Sequence, residues 1–260
     1  MANARRAAAA RLNPRMASVD AFDAGGVALL RGLVDAATLA RWRPLIDRRY
    51  ERAAALGDGD ADFNPYSASM RLAAVDGLDG DAVTRSVWRG GLRRLCEQVL
   101  GPRLACNLDQ CWVRRQYASA ASPPLHAPHA WHQDGALRAD FGAAPTLPEP
   151  LPMLTCWIAL TPCGVLAPGL QWVAEPLPQL LLPVELSAAQ VRERFAAERW
   201  RQPALAAGDA LLLHGSTLHR THVTAAMTAT RTSLELRLFS ADRLPARLAG
   251  DRFIDLAVSP

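Results

Sequence analysis

What most limits the fold of this chain is the pattern that sets in near Leu104, where short strand-like runs begin to alternate with Pro- and Gly-containing turns. Strands this short must pack against one another to bury their apolar faces. The pattern predicts an all-β sandwich or barrel, and a double-stranded β-helix, or jelly roll, fits it best. Within this region Gly208-Asp209 reads as a turn, residues 210–213 as a short buried strand, and Leu234, Leu236 and Leu238 as one face of a final alternating strand.

Ahead of the strands the period changes. Residues 27–33 read as a strand feeding a helix capped by Asp35, in which Leu39, Trp42, Ile46 and Tyr50 form an apolar stripe. Residues 58–69 are polar and irregular. A second helix is expected over about 82–100, with Val87, Trp88, Leu92, Leu95 and Val99 on its inner side and Gly101-Pro102 ending it. The fold class is therefore mainly β with flanking helices (α+β), a cupin-like jelly roll, with the helices of 35–100 buttressing the sheet. Residues 1–19 read as a disordered tail and 20–260 as one domain. Pro176, Pro178 and Pro183, followed by a helix opening on Ser187-x-x-Gln190, mark 174–207 as an insertion expected to lie beside the barrel mouth as a lid.

Half of the 260 residues are apolar, enough for a sizeable core, and no apolar run reaches the ~20 residues that span a bilayer. No secretory leader is evident, so a cytoplasmic location is expected. All 29 basic residues are arginine, which together with the abundant alanine suggests GC-rich coding DNA and a bacterial source. The net charge is +4, but the arginines are scattered, which favours a small anionic ligand over nucleic acid. Cys96, Cys106, Cys111, Cys156 and Cys163 lack zinc-like spacing and read as free, mostly buried thiols.

Chemistry concentrates in His132-Gln133-Asp134. In an extended segment residues i and i+2 point the same way, so His132 and Asp134 can converge on one ion. Two imidazoles and a carboxylate form the facial triad of non-haem iron, with the opposite face open to other ligands. The third ligand must come from a distant strand, and His214, His219 and His222 all lie in one short segment after the Gly208-Asp209 turn. By strand alternation only one of the three can share the site. His126 and His129 precede His132 at intervals of three, but Pro123, Pro124 and Pro128 argue against a helix there and assign both to a loop at the rim, where each is either solvent-exposed or in contact with substrate.

Taken in order, HQDG at 132–135, the strand Cys156-Trp157-Ile158-Ala159-Leu160, GDALLLHGSTLH at 208–219 and Arg231 before a last strand resemble the phytanoyl-CoA dioxygenase family of iron- and 2-oxoglutarate-dependent oxygenases. Residues 22–33 resemble that family's opening, so the likeness runs over about 22–240. It implies His132, Asp134 and His219 as ligands of Fe(II), and Arg231, with Ser233 two residues on, as the anchor for the distal carboxylate of 2-oxoglutarate. It also implies Trp157 beside the cosubstrate, and Gln110 and Arg114, sharing a face of a strand over 107–115, as contacts to cosubstrate or substrate. The implied reaction consumes O2 and 2-oxoglutarate, releases succinate and CO2, and hydroxylates an unactivated C–H of a small organic molecule, for which the scattered arginines favour an anion. Desaturation, cyclisation and epoxidation remain open, whereas the carboxylate of Asp134 disfavours halogenation, which needs a small residue there. Residues 163–172 depart from the family's usual Asn-Gly and Gly-Ser-His elements, which argues against a fatty acyl-CoA substrate. The reading from another class is a non-catalytic jelly roll that binds metal or ligand. A zinc hydrolase built on the same ligands is a third.

Overall fold

The computed structural model describes residues 21–142 and 148–257, so the N-terminal tail lies outside the described residues. Twelve strands and four helices follow one another among them. The larger sheet has the strand order β1 (Val27–Leu30), β9 (Ala210–His214), β6 (Met153–Ala159), β11 (Arg231–Ser240), β5 (Trp112–Gln116), β3 (Ser69–Arg71) and β2 (Phe63–Asn64). At the far end of β11, β4 (Leu104–Asn107) also pairs with it and β12 (Phe253–Asp255) pairs with β4. The smaller sheet is β10 (His219–His222), β7 (Gly169–Val173) and β8 (Trp200–Arg201). Every pairing is antiparallel, as a jelly roll requires.

Alternation along the central strands sorts side chains into two cores. Cys156, Ile158, Ala210, Leu212, Leu234, Leu236 and Leu238 point to one face of the large sheet, where α1 (Ala36–Leu56), α2 (Gly80–Val87) and α3 (Gly90–Leu100) cover them. Trp157, Ala159, Leu211 and Leu213 point the other way, into the space between the sheets, and meet Leu170 and Trp172. Being buried on both faces, β6 and β9 read as continuous apolar runs. The helical layer forms as the sequence suggests: Asp35 caps α1 by accepting from the Thr38 N–H at 2.7 Å, and Leu39, Trp42, Ile46 and Tyr50 are buried.

Three local expectations are corrected. The helix expected over 82–100 is two helices, broken at Trp88 and Arg89 before Gly90 with its φ of +52°. The break resets the helical phase, so Cys96 and Leu100 turn inward and Val99 is exposed. The strand over 107–115 is interrupted by a 3-10 turn at Leu108–Gln110, in which the Asn107 side chain accepts from the Asp109 N–H. Residues 58–69 are less irregular than expected, since they supply β2 and the start of β3.

The insertion carries α4 (Ala188–Arg194), capped as expected by Ser187, whose side chain accepts from the Gln190 N–H. Leu181, Val191 and Phe195 of this segment pack with Trp131, Val173 and Leu218. Gln133, between the two expected ligands, ties the insertion down: its Nε2 donates to the Gln179 carbonyl at 3.2 Å and its Oε1 accepts from the Leu181 N–H at 2.7 Å. No helix among the described residues is long and apolar enough to cross a membrane.

Candidate metal and cosubstrate site

His132 and His219 exchange backbone hydrogen bonds in both directions, 2.9 and 3.0 Å, which sets the two imidazoles side by side with ring centroids 4.2 Å apart. Each Nδ1 lies against a carbonyl, His132 on Ala130 at 2.7 Å and His219 on Thr217 at 3.0 Å. A carbonyl only accepts, so both protons sit on Nδ1 and both Nε2 lone pairs are free. Asp134 completes the group. Its Oδ1 is 3.8 Å from His132 Nε2 and its Oδ2 is 3.8 Å from His219 Nε2, and one ligand atom from each residue lies within 4.8 Å of the others.

The turn that aims Asp134 admits only glycine at two points. The Gly135 N–H donates to the Gly215 carbonyl at 2.7 Å, and a Cβ on Gly135 would lie 2.8 Å from that oxygen; a Cβ on Gly215 would lie 2.5 Å from the Leu151 carbonyl. From beyond β11, Arg247 donates to the Gly135 carbonyl, and Asp251 accepts from Arg138 at 2.7 Å. The ligand-bearing turn is thus clamped by a late segment of the chain.

Behind the three residues lies a buried ionic ladder with no motif of its own. Thr155 Oγ1 donates to Asp134 Oδ2 at 2.7 Å, and Arg237 Nη1 donates to the same oxygen. Arg237 Nη2 reaches Glu235 at 3.0 Å, and Glu235 accepts from Arg114 Nε at 2.6 Å. With Oδ2 held twice, Oδ1 is the oxygen left to a metal. Burial works against the Asp134 carboxylate, but Arg237 and then the two imidazoles outweigh it and hold its pKa well below the usual range. Glu235 is likewise held low against burial by Arg114 and Arg237. Burial, reinforced by His219, pulls His132 down to about 3, so it is neutral and ready to ligate at neutral pH.

Deeper in the same narrow chamber sits Arg231, 1% exposed. Its Nη1 makes one long contact to the Gly169 carbonyl at 3.4 Å, its Nε has no partner, and its Cζ lies 5.0 Å from the Trp157 ring centroid. Ser233 Oγ, on the same face of β11, is also buried without a partner. Burial lowers the guanidinium to about 10, which leaves it charged at neutral pH. A buried cation and a buried hydroxyl, both unsatisfied, fit a carboxylate that arrives with a ligand. The donor set suits iron, and this end suits the distal carboxylate of 2-oxoglutarate.

The remaining expected residues divide. Gln110 and Arg114 are brought to the site, although from a 3-10 turn and from β5 instead of one strand, and they line an outer cavity together with His132 and Asp134. Trp157 lines the inner chamber. His126 and His129 do lie in a loop, but neither is simply solvated: His126 is buried against Tyr117, and His129 lines both cavities with its ring centroid 5.4 Å from that of His132. Three prolines exclude a helix, but they still let the loop cross the mouth. His214 packs edge-on against Phe22 away from the site, and His222 does not line it. Thr155, Glu235 and Arg237 carry no motif; the polar residues at 231, 233, 235 and 237, alternating with the leucines of β11, are a signal for Glu235 and Arg237, and nothing in the sequence singles out Thr155 of β6.

A jelly roll with this donor set and an anion pocket behind it defines an Fe(II)- and 2-oxoglutarate-dependent oxygenase. The chain belongs to the phytanoyl-CoA dioxygenase family, whose model matches residues 22–227. Arg231 lies beyond that match and rests on its geometry. Among solved structures, EctD from S. alaskensis with bound Fe superposes with a TM-score of 0.63 at 16% identity, covering 86% of this chain and 76% of that one. The epimerase SnoN from nogalamycin biosynthesis, in complex with Fe3+, alpha-ketoglutarate and nogalamycin RO, gives 0.57 at 17%, covering 86% and 87%. The carbocyclase SnoK gives 0.56 at 13%, covering 83% and 80%. No curated protein matches the sequence.

Proposed function

We propose that His132 and His219 through Nε2 and Asp134 through Oδ1 hold Fe(II), that Arg231 and Ser233 receive the distal carboxylate of 2-oxoglutarate, and that the enzyme hydroxylates an unactivated C–H of a small organic substrate. The observation that carries this is the unsatisfied Arg231 Nε in the same chamber as three metal-type donors, with the unsatisfied Ser233 Oγ buried two residues further along β11. When bound, the iron and its cosubstrate supply O2-dependent decarboxylation to succinate and CO2, and an oxidant strong enough to take hydrogen from carbon.

The side chains bind and orient. Arg231 fixes one end of the cosubstrate by a charge-assisted pair, Trp157, Leu170 and Leu213 keep water from its carbon chain, and the Nδ1–H anchors fix the two imidazoles. Arg237 and Thr155 hold Asp134 to one coordinating oxygen. The insertion 174–207 is tied through Gln133 to the segment that carries His132 and Asp134, and so helps to hold that segment in place.

The test is anaerobic addition of Fe(II) and 2-oxoglutarate to the apo protein, watching for the weak visible charge-transfer band that chelation produces. The band is expected in the wild type and not in His219→Ala, and air should then release succinate. A protein that binds metal without the band or succinate would be the non-catalytic jelly roll.

A further inference from the structure

The outer cavity, about 260 Å3, presents hydrogen-bond donors to whatever enters it. It shares Arg114, His129, His132 and Asp134 with the inner chamber, and it alone is faced by Trp112 and Leu137. Arg114 spends Nε on Glu235 at 2.6 Å and Nη1 on His129 Nε2 at 2.8 Å, and Nη2 has no partner among the described residues. A guanidinium only donates, so His129 Nε2 must accept and its proton belongs on Nδ1. That Nδ1–H also has no partner among the described residues. The Trp112 ring centroid lies 5.7 Å from Arg114 Cζ and lends a flat apolar surface to the same wall.

Charge points the same way. Arg114, Arg231 and Arg237 against Asp134 and Glu235 leave the two cavities with one positive charge in excess. A divalent iron and a 2-oxoglutarate dianion cancel each other, so the excess survives their binding. One unit of uncompensated charge on the walls of these cavities favours an arriving anion of one unit.

We infer that this wall selects a substrate bearing a single carboxylate, with Arg114 Nη2 and His129 Nδ1–H donating to its oxygens and Trp112 lying against the adjoining apolar part. The inference rests on the iron and 2-oxoglutarate reading for its count of charge; its donors are independent of that reading.

The probes are 4-fluorobenzoate and its uncharged match 4-fluorobenzamide, followed by fluorine NMR line broadening with protein under argon, Fe(II) present and 2-oxoglutarate saturating so that Arg231 is filled. The benzoate should bind at least about tenfold more tightly, the equivalent of one charge-assisted hydrogen bond. The preference should shrink in Arg114→Lys, and also in Arg114→Gln/Glu235→Gln, which removes the buried pair without stranding a charge. Equal binding of the two probes overturns the inference, and so does a preference that survives both variants, since the anion would then sit elsewhere. If the visible band fails to form but the Arg114-dependent preference remains, the iron reading falls and the anion wall stands.

Discussion

Arg237 is the residue whose removal tests most of the site at once. It stands between two buried carboxylates, and without it Asp134 and Glu235 face each other with less compensation. Breaking a buried pair by deleting one partner costs about 3–5 kcal/mol. Arg237→Met should lose about that much in urea unfolding at pH 7, and a variant as stable as the wild type would mean the carboxylates find other cations. Arg231 tests binding instead. Losing one charge-assisted interaction of about 1.5–3 kcal/mol should weaken 2-oxoglutarate by about 10- to 100-fold while leaving metal affinity unchanged, both readable by anaerobic titration of Arg231→Ala. His132 gives the metal-free protein a pH dependence. An unfolded histidine takes a proton near pH 6.5, whereas the folded one resists until about 3, so the unfolded state binds more protons between those values and stability falls as pH drops through that window. Urea midpoints at pH 7 and pH 5 should differ, and His132→Asn should reduce the difference without abolishing it, because burial also holds His129 down, to about 4.

At the scale of elements, β11 shows what could and could not be read in advance. Its leucines alternate, so its apolar face was legible, and with it the class of fold. The other face carries Arg231, Ser233, Glu235 and Arg237, yet only the first two were legible, because they match a family motif. The partner of Arg237 is 103 residues away, and such a pairing depends on strand register that local alternation does not encode. The same limit explains the helices: a broad apolar stripe over 82–100 conceals a break whose local sign is Gly90-Gly91. The Gly208-Asp209 turn was legible because a left-handed turn calls for glycine. Gly208 has a φ of +90°, and a Cβ there would lie 2.1 Å from the Val34 carbonyl. Gly208→Ala should therefore cost more than the ~1–3 kcal/mol of a strained backbone alone, measured by thermal or urea unfolding; a milder loss would mean the loop before α1 can yield.

For the molecule as a whole, the large sheet separates two tasks. One face packs on helices and holds most of the apolar core; the other joins the small sheet around the reactive chamber. All five cysteines are buried; burial pushes the thiols of Cys96, Cys156 and Cys163 upward, and the hydrogen bond with Cys106, followed by burial, does the same for Cys111. Buried, protonated thiols are poor nucleophiles, so a disulfide reagent should titrate none in the folded protein and five in urea. The clamp on Gly135 by Arg247, and on Arg138 by Asp251, carries a consequence for biosynthesis. The imidazoles and carboxylate leave the ribosome in the order 132, 134, 219, and the clamp residues come later. An ion that meets the growing chain early meets donors not yet held to their spacing, so selection of the metal belongs to the period after Asp251 has been added.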